Sequence, residues 1–203
     1  MNQAFIIFLF FISLGYCNAQ SEFPKLESSD VISRHFSIQE IKELQKILDF
    51  FDNELCEKTS KDLAECYESF FSKVLKESET GDVYIKHPYS EQNRLYTELD
   101  TVVFNEIWAF GKTWTHDVGD TLKYIDLNTQ GSFQLLLKDI AKYNEGIKYY
   151  HEALLAVHGI SPSMVGNIAY KASSYDISKP EIRLIIAIHY ITLYDQFFRK
   201  EPY

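Results

Sequence analysis

Residues 180–198 read PEIRLIIAIHYITLYDQFF. A proline at the head suits the first turn of a helix, where its missing N–H has no partner to lose. Within the segment, 184–191 (LIIAIHYI) is apolar nearly all round rather than along one stripe. A helix without a polar face has to be enclosed on every side. The segment therefore predicts a central helix, and the rest of the chain must supply its jacket.

The jacket is legible upstream. Ser37-Ile38-Gln39-Glu40 is a capping box, with a hydroxyl and a carboxylate placed to satisfy the orphan amides of a helix start. It predicts a helix over about 38–56, with Ile41, Leu44, Leu48, Phe51 and Leu55 on one face. After a polar break, Leu63, Tyr67, Phe70 and Val74 repeat the three-four step to about residue 76, completing an αα-hairpin. Ser90 opens a third helix whose stripe runs Tyr96, Leu99, Val103, Ile107 and Phe110, with Gly111 placed to end it. From Ser132 one long, bent helix carries Phe133, Leu136, Leu137, Ile140, Ile147, Tyr150, Leu154 and Val157 to Gly159. Ser161-Pro162 then opens a short helix to about Ala172.

The expected fold is all-α, a single-domain irregular bundle of about six helices with two long connecting loops, 77–89 and 111–131. The second is long for a link between helices. Either it hides a short strand at 122–125, or it is a functional loop.

The N-terminus has a different character. Residues 5–14 (FIIFLFFISL) form an apolar run of signal-peptide length, too short to span a bilayer. Cys17-Asn18-Ala19 offers a small residue before a cut at Gln20. The chain divides into a removed signal peptide at 1–19, a polar leader at 20–36 and a helical domain at 37–200. The expected location is outside the cytoplasm, secreted or periplasmic. The alternative is a lipid anchor at Cys17, since Leu14-Gly15-Tyr16-Cys17 outlines a lipoprotein box, although Tyr16 is bulky for it. Membrane contact is expected only in that case.

Cleavage leaves Cys56 and Cys66, an even count in an oxidising compartment, so they are expected to form a disulfide. The formal charge of −9 argues against nucleic acid as a partner.

Chemistry-bearing motifs are sparse. His151 and His158 are separated by about 10 Å along a helix, too far to share a metal ion; His158, beside Gly159, suits a helix C-terminus. His189, in the apolar helix, reads as a hydrogen-bonded core residue. No Gly-x-Ser-x-Gly elbow or glycine-rich phosphate loop is present. Neither a metal nor a cofactor is expected.

The best cluster is Trp114, His116, Asp117 and Asp120 in the 111–131 connection, joined by His87 and Tyr89 if the two loops fall at one end of the bundle. The simpler reading, with Trp114 as a plug on the helical core and the charges as solvated turn residues, leads over a binding role. The leading expectation is a non-enzymatic protein that binds a protein or small ligand through these loops. Two other classes stay open. One is a hydrolase-like enzyme assembled from His116, Asp117, His87 and His151. The other is an acidic inhibitor or immunity-type protein. An enzyme should bring these groups together in a pocket, and a binding protein should expose an apolar patch.

Overall fold

A computed structural model of the chain describes residues 24–56, 62–80, 87–114 and 121–203. The expected signal peptide and the Cys17 alternative lie outside the described residues, as do His116, Asp117 and Asp120. No described helix is long and apolar enough to cross a membrane.

The last helix is the axis of the molecule. It spans Pro180–Phe198 (α8), and every residue from Pro180 to Asp195 is buried. Around it stand α1 (Asp30–Ser33), α2 (Ile38–Cys56), α3 (Leu63–Ser78), α4 (Tyr89–Glu98), α5 (Thr101–Ile107), α6 (Ser132–Ile140) and α7 (Glu145–Val157). The capping box forms: the Ser37 amide donates to Glu40 Oε2 at 2.7 Å, and the Glu40 amide reaches Ser37 Oγ at 3.4 Å. Phe51 of α2 and Phe70 of α3 close over Tyr190, the latter edge-to-face at 4.8 Å. Such an aromatic pair adds about 0.5–1.5 kcal/mol beyond the area it buries. The α2–α3 hairpin is stapled by the Cys56–Cys66 disulfide, with Cα atoms 5.5 Å apart.

The fold is mostly helical, but the all-α expectation needs one correction. The third helix does not run to Phe110. Leu99 and Asp100 interrupt it, and the Asp100 side chain accepts from the Val102 amide at 2.7 Å, capping α5 afresh. From Trp108 the chain is extended: β1 (Trp108–Trp114) pairs antiparallel with β2 (Thr121–Leu127). The 111–131 connection is thus largely a β-hairpin, longer than the strand suspected at 122–125. Helical spacing and strand alternation both fit so short an aromatic run, and packing decided between them. The Trp108 indole is fully buried and donates to Thr192 Oγ1 on α8 at 2.8 Å.

Three further expectations change. The long helix after Ser132 is two, because Asn144 caps α7 by accepting from the Ile147 amide at 2.9 Å. The short helix after Pro162 is a pair of 3₁₀ turns, Pro162–Met164 and Ala169–Ser174. The polar leader belongs to the core: Leu26 and Ile32 are fully buried and Val31 and Phe36 nearly so. Arg183 holds the leader's start, donating to the Pro24 carbonyl at 2.9 Å while paired with the Asp52 carboxylate. Asp52 also accepts from the Tyr67 hydroxyl at 2.7 Å. Burial pushes the Asp52 carboxyl up to about 6, against the Arg183 charge and the Tyr67 bond, which lower it.

Candidate functional site

The C-terminal end of α8 carries a carboxylate in an otherwise apolar helix. Asp195 is fully buried, and a buried charge persists only when paired and hydrogen-bonded. Arg199, one turn on, meets both of its oxygens: Nε lies 2.9 Å from Oδ1 and 3.1 Å from Oδ2, and Nη2 lies 2.8 Å from Oδ2. The Tyr89 hydroxyl donates to Oδ2 at 2.8 Å, and the Ile125 amide of β2 donates to Oδ1 at 3.0 Å. One carboxylate therefore joins α8, the first residue of α4 and the hairpin. The two long connections meet there.

The surroundings follow from that junction. Arg199 Nη1 reaches Glu201 Oε2 at 2.6 Å, and its guanidinium lies over the rings of Phe110, Tyr89 and Tyr96 at 5.4, 5.9 and 6.0 Å. Burial by itself would lower the Arg199 pKa, but the bonds and charge of Asp195 raise it further, so the cation is permanent. Burial and the neighbouring Asp195 charge push the Tyr89 phenol well above its ordinary range. Tyr89 thus stays a neutral donor across the physiological range.

Beyond Arg199 the chain turns back along β2. The Lys123 amide donates to the Glu201 carbonyl and the Tyr203 amide to the Thr121 carbonyl, each at 2.9 Å. The tail runs beside β2 without forming a strand of its own, joined by an isolated antiparallel bridge between Leu122 and Pro202. Lys123 Nζ pairs with Glu201 Oε1 at 2.6 Å.

Side chains alternate across a strand, so Trp108, Phe110, Lys112 and Trp114 share one face of β1. Trp108 is anchored in the core. Phe110 stacks on Phe104 at 5.7 Å yet remains 54% exposed. Trp114 is 57% exposed, which excludes it as a core plug; Trp108 has that role. Lys112 Nζ sits over the exposed Tyr203 ring at 4.9 Å, and Lys123 Nζ over Phe110 at 5.8 Å. The result is an aromatic surface carrying two lysines, held rigidly by the Asp195 junction.

The expected site residues divide accordingly. Tyr89 and Trp114 belong to this end of the molecule. His87 lies near it in the core: its ring packs edge-on to Phe50 and Tyr194 at 4.9 and 4.8 Å, and its Nε2 meets Gln92 Oε1 at 3.0 Å. Because the Gln92 amide nitrogen donates to Tyr96 and to the Ile191 carbonyl, Gln92 Oε1 is the acceptor and His87 Nε2 carries the proton. Burial lowers the His87 pKa, more than the Gln92 bond and the Glu91 charge raise it.

His151 lies on another element, half-buried on α7 with Lys138 and Glu152 as charged neighbours. His158 does end α7, in the left-handed conformation. His189 is a core residue, its Nδ1 3.1 Å from the Tyr150 hydroxyl. No group of His, Cys, Asp or Glu among the described residues is placed to hold a metal ion.

Asp195, Arg199, Glu201 and Tyr203 escaped the sequence reading. The available signal was an acid–base pair four residues apart at the end of an apolar helix. Its partners are too distant in sequence to be read from spacing. Comparison with family models, characterised proteins and solved structures finds no match to this chain.

Proposed function

We propose that this is an exported, non-enzymatic binding protein that engages a partner through the outer surface of the β1–β2 hairpin. The observation that carries the reading is the exposed set Phe110, Lys112 and Trp114 on β1, with Tyr203 from the adjoining tail, on a strand pair fixed to the core. Large aromatic side chains held in one geometry lose little entropy on binding, which suits them to anchor a contact. The neighbouring titratable groups Tyr89, Arg199 and Asp195 are engaged with one another and support the surface. The disulfide fits an oxidising compartment.

The test is site-specific photo-crosslinking. A benzophenone amino acid is placed at Phe110, at Tyr203 or at the equally exposed Tyr170, and the protein is irradiated in the medium or compartment that contains it. A common adduct from positions 110 and 203, missing at 170, is expected. Equal labelling from all three positions, or none from 110 and 203, would overturn the reading.

A further inference from the structure

The hairpin has a second property, carried by its backbone. In an antiparallel pair, directly opposite residues either exchange both main-chain bonds or point those groups away from each other. The Lys123 amide is spent on Glu201 and the Ile125 amide on Asp195, both on the side of β2 away from β1. Their partners in the register are Lys112 and Phe110. The N–H and C=O groups of Phe110 and Lys112 therefore point out of the opposite edge of the sheet. No described backbone group pairs with that edge, and Ala109, Phe110, Lys112 and Thr113 are all exposed.

Exposed edges invite strand addition, and proteins that limit it use proline, bulges, inward charges or an edge lysine, which disfavours a basic strand more than an acidic one. β1 contains no proline, and its register with β2 runs unbroken from Trp108 to Trp114. Its single charge, Lys112, stands directly opposite Lys123, an arrangement that costs stability when unrelieved. Lys123 has Glu201. Lys112 has the Tyr203 ring, and no carboxylate among the described residues lies within ion-pair distance of it. Lys112 thus combines a backbone that faces the open edge with an ammonium that a carboxylate on an added strand could pair with.

We infer that β1 receives an extended segment of another protein by strand addition, in which an acidic side chain seats at Lys112 between apolar residues that cover Phe110. This rests on the hairpin being the binding surface. The charges argue against a second copy as the occupant, because antiparallel pairing of two β1 edges would gather both Lys112–Lys123 pairs on one continuous face. The overall charge of −9 argues for a short segment rather than an acidic domain, since long-range repulsion falls on the whole partner while the lysines act only locally.

The test uses three capped nine-residue peptides in which valine alternates with glutamate, lysine or serine. Binding is read by fluorescence anisotropy, and amide hydrogen exchange is followed by NMR. The glutamate peptide should bind at least tenfold more tightly than the lysine peptide, and should slow exchange at the Phe110 and Lys112 amides specifically. Lys112→Pro, which removes an outward N–H together with the Lys112 ammonium and leaves the β1–β2 ladder intact, should abolish binding. Lys112→Glu keeps the backbone and should invert the preference, so the charge argument survives if the proline variant fails to fold.

Equal binding of all three peptides would overturn the inference, as would binding without protection at 110 and 112. A peptide-free dimer showing that same protection, or no binding of any peptide, would also overturn it. Crosslinking at 110 and 203 judges the binding reading separately, because it requires no strand pairing.

Discussion

Tyr89 donates its hydroxyl proton to Asp195 Oδ2 at 2.8 Å across 106 residues of chain, fastening the start of α4 to the end of α8. The same carboxylate holds Arg199 and the Ile125 amide. Truncating it leaves the buried Arg199 cation with Glu201 as its remaining carboxylate and the Ile125 amide and Tyr89 hydroxyl without their acceptor. Asp195→Ala should cost about 3–5 kcal/mol in urea unfolding, the range for breaking a buried ion pair. Tyr89→Phe should cost about 1 kcal/mol, a single hydrogen bond. An Asp195→Ala protein within 1 kcal/mol of the parent would show that the junction does not hold the hairpin.

His189 is fully buried and held neutral, its pKa pushed down to about 3 by burial, against a contribution from the Met164 backbone that raises it. The unfolded chain binds a proton at this residue below about 6.5. Between about 6.5 and 3 the unfolded state therefore carries more protons, and stability from this group falls as pH falls, by up to about 1.4 kcal/mol per pH unit. Asp52 acts in the opposite sense. Its folded pKa is raised to about 6, so the folded state binds the extra proton from about 3.8 to 6 and its contribution falls as pH rises through that window.

His189→Leu isolates the first effect, since Asp52 is common to both proteins. The variant should be less stable near neutrality, where Tyr150 loses its partner, and the gap should narrow steadily towards pH 4. A gap independent of pH would rule out a buried neutral imidazole.

The Cys56–Cys66 bridge closes a loop of sequence separation 10. In the loop-entropy model this corresponds to about 2.7 kcal/mol. The Cys56→Ser/Cys66→Ser double variant should lose about 2–3 kcal/mol in thermal or urea unfolding and keep its helical circular dichroism. The oxidised parent should show no reactive thiol at either position when labelled after unfolding.

The end of α7 contains two residues with positive φ that should respond in opposite ways. His158 has φ 61°, and Gly159 has φ 150°. A Cβ at Gly159 would lie 2.2 Å from Asp126 Oδ2, and Asp126 Oδ1 is the acceptor for the Ile160 amide at 2.8 Å. Gly159→Ala should cost about 1–3 kcal/mol through strain and displacement of Asp126. His158→Gly should be neutral or stabilise by up to about 1 kcal/mol, because glycine adopts the left-handed conformation freely. Melting temperatures that rank the two variants the other way would refute the assignment.

Local sequence determined much of the frame. The apolar girth of 184–191 set α8 at the centre, the Ser37–Glu40 box placed the start of α2, and the two cysteines staple the α2–α3 hairpin. Each of these depends on neighbours in sequence or on a single pairing, so periodicity and composition suffice to read them. Where the same spacing admits two structures, tertiary contacts chose. Residues 108–114 fit a helical stripe ending at Phe110 but became a strand, because the Trp108 indole finds Thr192 and the Ile125 amide finds Asp195 on α8. The leader looked polar by composition, yet Leu26 and Ile32 are core residues because Arg183 and Gln45 bind the backbone at Pro24 and Leu26. The candidate surface is likewise a product of tertiary structure. Tyr89, Ile125, Asp195 and Arg199 are scattered along the chain, and what unites them is the cost of burying one carboxylate, which the fold offsets by bringing its donors together, fixing in place the hairpin that presents Phe110.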